Sequence, residues 1–509
     1  MQPDQSFRLA LLVTRDLHPD RTWGQLIEHV IGRGHSVVAY KGSSGFRPPG
    51  GGGHHVEIFP ADVTNRAYRD ISFEPQAAEI LNRLISEKTY ASTHAILLTM
   101  LSRRDSSGSF RMVDREVVIR HLLLGLISQI VRAAPTHFIF EETPHEVTDF
   151  ALFRIARFLK IPTLFFQPSL VGPQMVARTS LEDVLATGKR GSGIQALDDA
   201  QQQSVLISRA AITKLETGGG TALLDRQKSI DSKVSAVRPK IRSFVWTAKT
   251  ILRGSPNPLI SLTGHRGVPT LIRNAFEVLA ARSLRNTLHS VVSNLPNSSP
   301  PTGARFSLFA LHYEPERTNM PEGLPYLSQL DAVLAARAML PADVTLYIKE
   351  HYAQQSSSLR GYVGRSPLVY DFLACIPGVQ VLGVEANTRE LIQAAENIFT
   401  MTGKIGIEAA FLGTPAVYFG QPWWGQMPGA TAFSDVETFD DLQKSMASSP
   451  AEVWRWFEKQ INQELLFGLG GTSPEKYSSR IAPLPKGFEQ LEFESLARAV
   501  DSFFSLVAP

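Results

Sequence analysis

The chain has 509 residues, 43% of them hydrophobic and 19% charged, a globular composition too long for one ordinary core, so two domains are expected. Net charge is only +3 and names no partner. One cysteine, Cys375, excludes an internal disulfide framework and fits a reducing cytoplasm. No apolar run reaches the roughly 18–20 residues a bilayer demands.

In chain order, Phe7–Thr14 predicts a strand, Thr22–Ile31 a helix and Ser36–Tyr40 a second strand. This β-α-β opening implies a parallel sheet. The polar Met1–Ser6 shows no secretory signal. Gly42–His55, with its proline pair and glycine run, predicts a loop, and His54-His55 within it an exposed pair. Ala95–Leu101, His137–Phe140 and Thr163–Phe166 predict further strands, with a helix over Asp114–Ala133. Glu141-Glu142-Thr143-Pro144-His145-Glu146 follows His137–Phe140 directly. Thr143, Pro144 and Glu146 spell a capping box with proline at the first helical position. The same run makes His145 and Glu146 the catalytic candidates, because imidazole titrates near neutrality and a carboxylate can orient it or act itself. Gln167-Pro168-Ser169 is a weaker candidate of that kind, and His18–Trp23 reads as a turn.

From Gln201 to about Arg285 the pattern turns helical, and Lys233–Pro300 holds ten Lys or Arg against one acid, Glu277. Lys240, Arg242, Lys249, Arg253, Arg273, Arg282 and Arg285 mix there with Phe244, Trp246, Ile251, Leu271 and Phe276. That mixture suits an anionic membrane surface or glycan, and no nucleic-acid motif accompanies it. The organisation expected is an N-terminal α/β domain over 1–295 with a basic helical insertion at about 200–290. A linker at 296–304, a Rossmann-like domain over 305–485 and a final helix over 486–509 complete it.

In the second half, strands are predicted at Phe306–Leu311, Val344–Glu350, Val379–Leu382, Ile398–Met401 and Ala416–Phe419. Helices fall near Tyr326–Met339, Pro367–Ile376, Thr388–Ala395, Ile405–Leu412, Val436–Met446, Ala451–Leu466 and Phe488–Leu506. Cys375, in one of these apolar helices, reads as a buried structural thiol. The alternation is that of a doubly wound sheet, whose ligands bind at the carboxyl ends of the strands. Polar clusters stand at four such ends: His312, Glu314, Glu316 and Arg317; Lys349, Glu350 and His351; Thr402, Gly403, Lys404, Gly406 and Glu408; and Gln421 with Trp423 and Trp424. The glycine turn opening a helix is an anion site by its N–H groups and dipole, and Glu408 is placed to accept hydrogen bonds from sugar hydroxyls. Each cluster also has a plainer reading, as a cap, a charged strand end or, for the tryptophans, packing. No CxxC, HExxH, Walker A or acid-rich metal motif occurs, so no metal and no cofactor are expected, and Lys349, Arg317 or Lys404 would neutralise phosphate.

Leu311-His-Tyr-Glu-Pro-Glu316, Lys349-Glu-His351 and Thr402-Gly-Lys-Ile-Gly-Ile-Glu-Ala-Ala-Phe-Leu-Gly-Thr-Pro415 resemble the bacterial capsule polysaccharide biosynthesis proteins. These are GT-B glycosyltransferases, some similar to the capsule Kdo transferases. Thr143-Pro-His-Glu146 resembles a motif of the same group. The resemblance covers about 305–425, is patchy in the first half and leaves about 180–300 unmatched. It implies two Rossmann-like domains facing a cleft, with the nucleotide-sugar on the second and the acceptor on the first. Lys349 and His351 would meet the donor's phosphates or nucleotide, Thr402, Gly403 and Gly406 would hold phosphate through backbone N–H, and Glu408 would bind sugar or ribose hydroxyls. Tyr352 replaces the family's usual proline, and Lys404 stands where a small residue is commoner.

The function expected is therefore a cytoplasmic, metal-independent glycosyltransferase of surface-glycan synthesis, peripheral at the inner membrane. Its donor would be CMP- or UDP-linked and its acceptor a polysaccharide or glycolipid. A non-hydrolysing UDP-GlcNAc-type 2-epimerase shares the architecture, and a non-catalytic glycan-assembly protein is the alternative of another class.

Overall fold

The computed structural model describes residues 6–14, 17–41, 56–60, 71–105, 107–108, 110–169, 171–185, 198–217, 228, 231, 270–298, 300–301, 303–356, 359–444 and 448–507. His54, His55, Lys240, Arg242, Phe244, Trp246, Lys249, Ile251 and Arg253 lie outside them, as do the side chains of Leu271 and Arg273.

The chain divides into two compact units. The first comprises Met1–Met100, Met112–Ile212 and Lys459–Pro509, the second Leu101–Arg111 and Thr213–Glu458. This differs from a single crossing at 296–304. The helix Thr270–Ser293 buries Leu288 and Val292 in the second unit's core, so the described end of the basic insertion goes with that unit, whereas residues 200–212 go with the first. Residues 459–485 go with the first, because the strand Leu466–Phe467 joins its sheet.

The first unit holds a seven-stranded sheet: β1 (Arg8–Leu12), β2 (Ser36–Lys41), β3 (Glu57–Phe59), β4 (His137–Phe140), β5 (Thr163–Pro168), β6 (Gln174–Arg178) and β13 (Leu466–Phe467). Their spatial order is β13-β6-β5-β4-β1-β2-β3. β1 to β5 pair in parallel, while β6 and β13 run antiparallel at one edge. The β4 and β5 strands are buried almost throughout, the continuous apolar reading of a sheet covered on both faces. The final helix, Phe488–Val507, lays Leu496, Val500, Phe503 and Phe504 into the core shared with the helix Thr22–Gly32. Ala95–Leu101, expected as a strand, is instead part of the helix Tyr90–Ser102. Its Ala, Leu and Met content favours a helix, and the edge place is taken by β3. The capping-box reading also fails: the helix after β4 starts at Val147, with Glu146 at its N-cap position and making no side-chain cap bond.

The second unit holds a six-stranded, wholly parallel sheet: β7 (Phe306–Ala310), β8 (Thr345–Lys349), β9 (Val379–Leu382), β10 (Ile398–Thr400), β11 (Ala416–Tyr418) and β12 (Ala430–Ala432). The order is β12-β11-β10-β7-β8-β9, so β8 and β9 run outward on one side of β7 and β10, β11 and β12 on the other. Both sheets thus share a Rossmann-like winding, and in the second the topological switch lies between β7 and β10. Side-chain caps fix the helices: Ser328, Ser366 and Asn387 each accept from backbone N–H groups at a helix start, with Pro367 following Ser366. Cys375 caps the helix Pro367–Ala374 and is exposed, contrary to the buried thiol expected. Among the described residues no helix is long and apolar enough to cross a membrane.

At the amino end of the first sheet, the buried His137 ring packs 4.3 Å from Phe7 and 5.6 Å from Phe504. Burial lowers its pKa to about 4, with His35 adding to the effect. The folded value is below the unfolded one, so stability is complete above about pH 6.5 and is lost as pH falls toward 4. His137→Phe is expected to remove about 3 kcal/mol of the stability lost between pH 7 and pH 4, read from urea unfolding at both pH values.

Candidate functional site

The second unit's site begins at the switch point. β7 ends in Leu311-His312, and β10 ends in Thr400 ahead of the turn Met401–Lys404. His312 is only 6% exposed. Its Nε2 accepts the Thr402 N–H at 3.4 Å and lies 2.9 Å from Thr400 Oγ1, whose oxygen in turn accepts the Gly403 N–H at 3.2 Å. Nδ1 therefore carries the proton and faces Thr318 Oγ1 at 3.4 Å, and the Thr318 hydroxyl donates to Glu316 at 3.2 Å. Burial, with His351 and Arg365 nearby, holds the His312 pKa down to about 3. The neutral ring is a positioning group that ties two neighbouring strand ends together. Gly403 must be glycine, since a Cβ there would lie 2.7 Å from both His312 Nε2 and Thr400 Oγ1.

These bonds correct one expectation. Thr402, Gly403 and Gly406 do not present backbone N–H groups to phosphate. The first two are engaged as described, and the Gly406 N–H donates to the Gly403 carbonyl at 3.1 Å. Gly406 is small for another reason: a Cβ would collide with the buried Trp424 ring. Trp424 is thus a packing residue, and Trp423 stacks near Trp456 and Phe457.

Lys349, at the end of β8, is 8% exposed. Its Nζ donates to the Val384 carbonyl at 3.2 Å and forms an ion pair with no carboxylate among the described residues. Burial brings its pKa down to about 8, against the pull of Glu350, Glu385 and Glu408. Lys404 is likewise lowered to about 8 by burial, opposed by Glu316 and Glu408. Glu408, in the first turn of the helix Ile405–Phe411, is pushed up to about 7 by burial despite Lys404, Arg389 and Lys349. Lys349, Lys404 and Glu408 thus share one electrostatic environment, spread over the carboxyl ends of β8 and β10 on either side of β7. His351 Nδ1 accepts the Ala353 N–H at 3.1 Å, so the neutral ring carries its proton on Nε2. Burial and the charges of Lys349 and Arg365 lower its pKa to about 4.

Under these groups lies a buried network that the sequence did not reveal. The Glu350 carboxylate accepts the His351 N–H at 2.6 Å and the Tyr370 hydroxyl at 2.6 Å, and Arg365 Nε lies 3.4 Å from it. Arg365 also pairs with Glu314 at 3.5 Å and donates to the His312 carbonyl at 2.9 Å. Gln354 and Gln329 complete the frame by bonding the backbones of Glu314 and His312. Glu314 is therefore part of the frame. Arg317 is committed to Glu322 at 3.0 Å, which takes it out of the expected phosphate-binding set. Glu316 is exposed beside the turn, and the Gln421 N–H donates to the Glu322 carbonyl at 2.7 Å.

In the first unit, His145 and Glu146 sit on the segment after β4. His145 Nδ1 donates to the Thr143 carbonyl at 2.9 Å, which leaves the lone pair of the neutral ring on Nε2, the arrangement a general base requires. Glu142 lies 3.7 Å from Nδ1. The unpredicted partners here are Lys41 and Asp149, a buried pair with both Nζ–O distances at 2.7 Å. Asp149 holds the Lys41 ammonium above its usual range in spite of burial. The buried Glu141 accepts the Thr14 N–H and hydroxyl at 2.5 and 2.7 Å. Gln167 is buried and accepts from Arg178 at 2.7 Å, which makes it structural. Among the described residues no group of three or more His, Cys, Asp or Glu is placed to hold a metal ion.

The Glu350 network makes a stability prediction. Arg365→Met removes one member of a buried charge cluster and leaves Glu350 uncompensated, so a loss of about 3–5 kcal/mol is expected in urea unfolding. The double variant Arg365→Met/Glu350→Gln is expected to recover part of it.

No family model matches the chain, and no curated protein matches it. Solved structures similar to it include Thermosulfurimonas dismutans KpsC, a beta Kdo 2,4 transferase. That match has 12% identity and a TM-score of 0.27, and covers 63% of this chain and 78% of the other. The UDP-GlcNAc 2-epimerase from Methanocaldococcus jannaschii has 10% identity and a TM-score of 0.21, with 91% and 96% covered. The calicheamicin glycosyltransferase CalG4 has 11% identity and a TM-score of 0.19, with 99% and 100% covered. The chain itself has two Rossmann-like α/β sheets, one in each unit.

Proposed function

We propose that the chain is a glycosyltransferase that takes its sugar from a nucleotide-sugar donor bound at the carboxyl end of the second unit's sheet. The observation that carries this reading is Lys349: a nearly buried ammonium at a strand end, without a carboxylate partner among the described residues. An isolated buried charge is costly, and an anionic ligand there relieves the cost. Lys404 adds a second cation, the His351 Nε2–H a neutral donor, and Glu408 a carboxylate for ribose or sugar hydroxyls. That set suits a phosphate ester carrying a polyol better than an inorganic anion. A CMP- or UDP-linked sugar is the donor class it fits.

In the reaction proposed, an acceptor hydroxyl of a glycan or glycolipid forms the new bond to the anomeric carbon. The bond from that carbon to the phosphate oxygen breaks, and the nucleotide leaves with the electron pair. The acceptor's proton goes to His145 Nε2, with Glu146 assisting. Lys349 and Lys404 offset the charge developing on the departing phosphate. The role is one in capsule or surface-glycan synthesis, and no metal enters the scheme.

Thermal unfolding in the presence of CMP-, UDP-, GDP- and dTDP-sugars tests the donor site, because a ligand that binds only the folded chain raises its melting temperature. One donor class is expected to raise it. Lys349→Ala is expected to weaken that donor by about ten- to a hundredfold, the loss of one charge-assisted hydrogen bond. If no nucleotide-sugar shifts the transition, the reading fails. Conversion of a UDP-sugar without any acceptor would instead identify an epimerase.

The pH profile provides a second test. Phosphate binding needs Lys349 and Lys404 protonated, so affinity is expected to fall as pH rises past about 8. Hydroxyl binding by a Glu408 carboxylate is lost as pH falls below about 7. Calorimetric titration from pH 6 to 9.5 should show a maximum between those limits, and Glu408→Gln should flatten the acid limb and move the alkaline limb to lower pH, because Glu408 helps to keep both lysines charged.

A further inference from the structure

The helix Thr270–Ser293 has two faces of unlike fate. Glu277, Val278, Leu288 and Val292 are buried along one side. At 100° per residue, Ile272, Phe276 and Leu279 fall on the side directly opposite. Those three are 60%, 66% and 57% exposed. Single exposed apolar residues are ordinary, but three at i, i+4 and i+7 on one stripe are an apolar face without a partner among the described residues. The helix Pro367–Ala374, which touches this one, exposes Leu368 and Phe372 as well. The stripe lies in the most basic part of the chain, where Lys233–Pro300 holds ten Lys or Arg and the single acid is Glu277. That one acid is on the buried side, so the exposed side carries no carboxylate from this segment, while Arg282 is exposed within a turn of Leu279.

We propose that this face docks on an anionic phospholipid surface, with Ile272, Phe276 and Leu279 entering the interface and the exposed Arg282 meeting the headgroups. Charge decides the occupant. A second copy of the chain would bring the same positive segment against itself, whereas an anionic bilayer complements both the apolar stripe and the charge. The depth is that of a peripheral helix, consistent with the absence of any spanning helix among the described residues. The inference does not rest on the transferase reading, because it uses no residue of the donor site. It would bring the chain to where a lipid-linked acceptor resides.

The test is sedimentation of the full chain with vesicles of phosphatidylcholine alone and of phosphatidylcholine with 30–40% phosphatidylglycerol, on the order used to mimic an anionic leaflet. Binding to the anionic vesicles alone is expected, weakening several-fold between 50 and 300 mM salt as the charges are screened. The variant Ile272→Ser/Phe276→Ser/Leu279→Ser is expected to lose about tenfold or more in partition coefficient. Its unfolding transition and its donor-induced thermal shift are expected to stay as in the parent, since these side chains are exposed. The proposal is overturned if anionic vesicles fail to bind the chain, or if the triple variant binds as the parent does. It is equally overturned if the stripe proves to be covered by another copy, seen as a concentration-dependent dimer in sedimentation velocity that the triple variant abolishes.

Discussion

The second unit is organised around a neutral histidine. His312 stands where β7 ends, and β10 is its neighbour across the topological switch. In most doubly wound sheets the two strand ends diverge there and leave a crevice. Here one imidazole spans it, accepting from the Thr402 N–H and lying in bonding range of the Thr400 hydroxyl. That role needs a ring with one donor and one acceptor nitrogen, which only the neutral form has. Burial supplies the neutrality by making a charged ring expensive. A protonated His312 would lose the acceptor that orders the turn, so desolvation and turn geometry are one constraint.

The donor site's chemistry follows from what that constraint leaves over. With the turn's first N–H groups spent inside the protein, backbone dipoles cannot be the main anion grip. The burden moves to side chains, and the cations that carry it are partly desolvated. Removing an ammonium from water costs free energy that an ion pair would ordinarily offset, and Lys349 has no such pair among the described residues. The Glu350–Arg365–Tyr370 network beneath explains how this is tolerated. It is held by hydrogen bonds and ion pairs and fixes the backbone from which Lys349 and His351 project. Stability is concentrated under the site, and the unfavourable desolvation is confined to the groups a ligand would touch.

Much of this was legible in the chain. Period and apolar runs located every strand of the second sheet but β12, because parallel strands buried on both faces read as short continuous apolar segments. His312, Lys349, Thr402 and Glu408 were visible as polar residues directly after such segments. The roles were harder. Whether Gly403 yields its N–H to a ligand or to Thr400 depends on a hydroxyl inside the strand, and nothing in a one-dimensional pattern separates the two. Arg365 and Tyr370 lie far from the motif they support and carry no spacing signal. Lys41 directly follows the predicted strand Ser36–Tyr40, and its partner Asp149 belongs to no motif, so nothing in the sequence marked the pair. Ala95–Leu101 misled because a buried helix and a buried strand have the same apolar spelling over seven residues. The domain boundary misled because the Pro- and Ser-rich run at 294–303 is a loop inside the second unit and not a link between the two.

The sign of charge distinguishes two sheets that share one winding. The carboxyl ends of the second unit's strands hold Lys349 and Lys404 among Glu316, Glu350, Glu385 and Glu408, and Lys349 forms an ion pair with none of these carboxylates. The corresponding ends in the first unit hold Glu141, Glu142 and Glu146, while the one buried lysine there is neutralised by Asp149 at 2.7 Å. Phosphate would be repelled by those carboxylates, and Glu142 lies 3.7 Å from the His145 ring. A reaction that separates a departing anion from a proton needs one site of each kind. The proposal that a nucleotide binds the second unit rests on that difference.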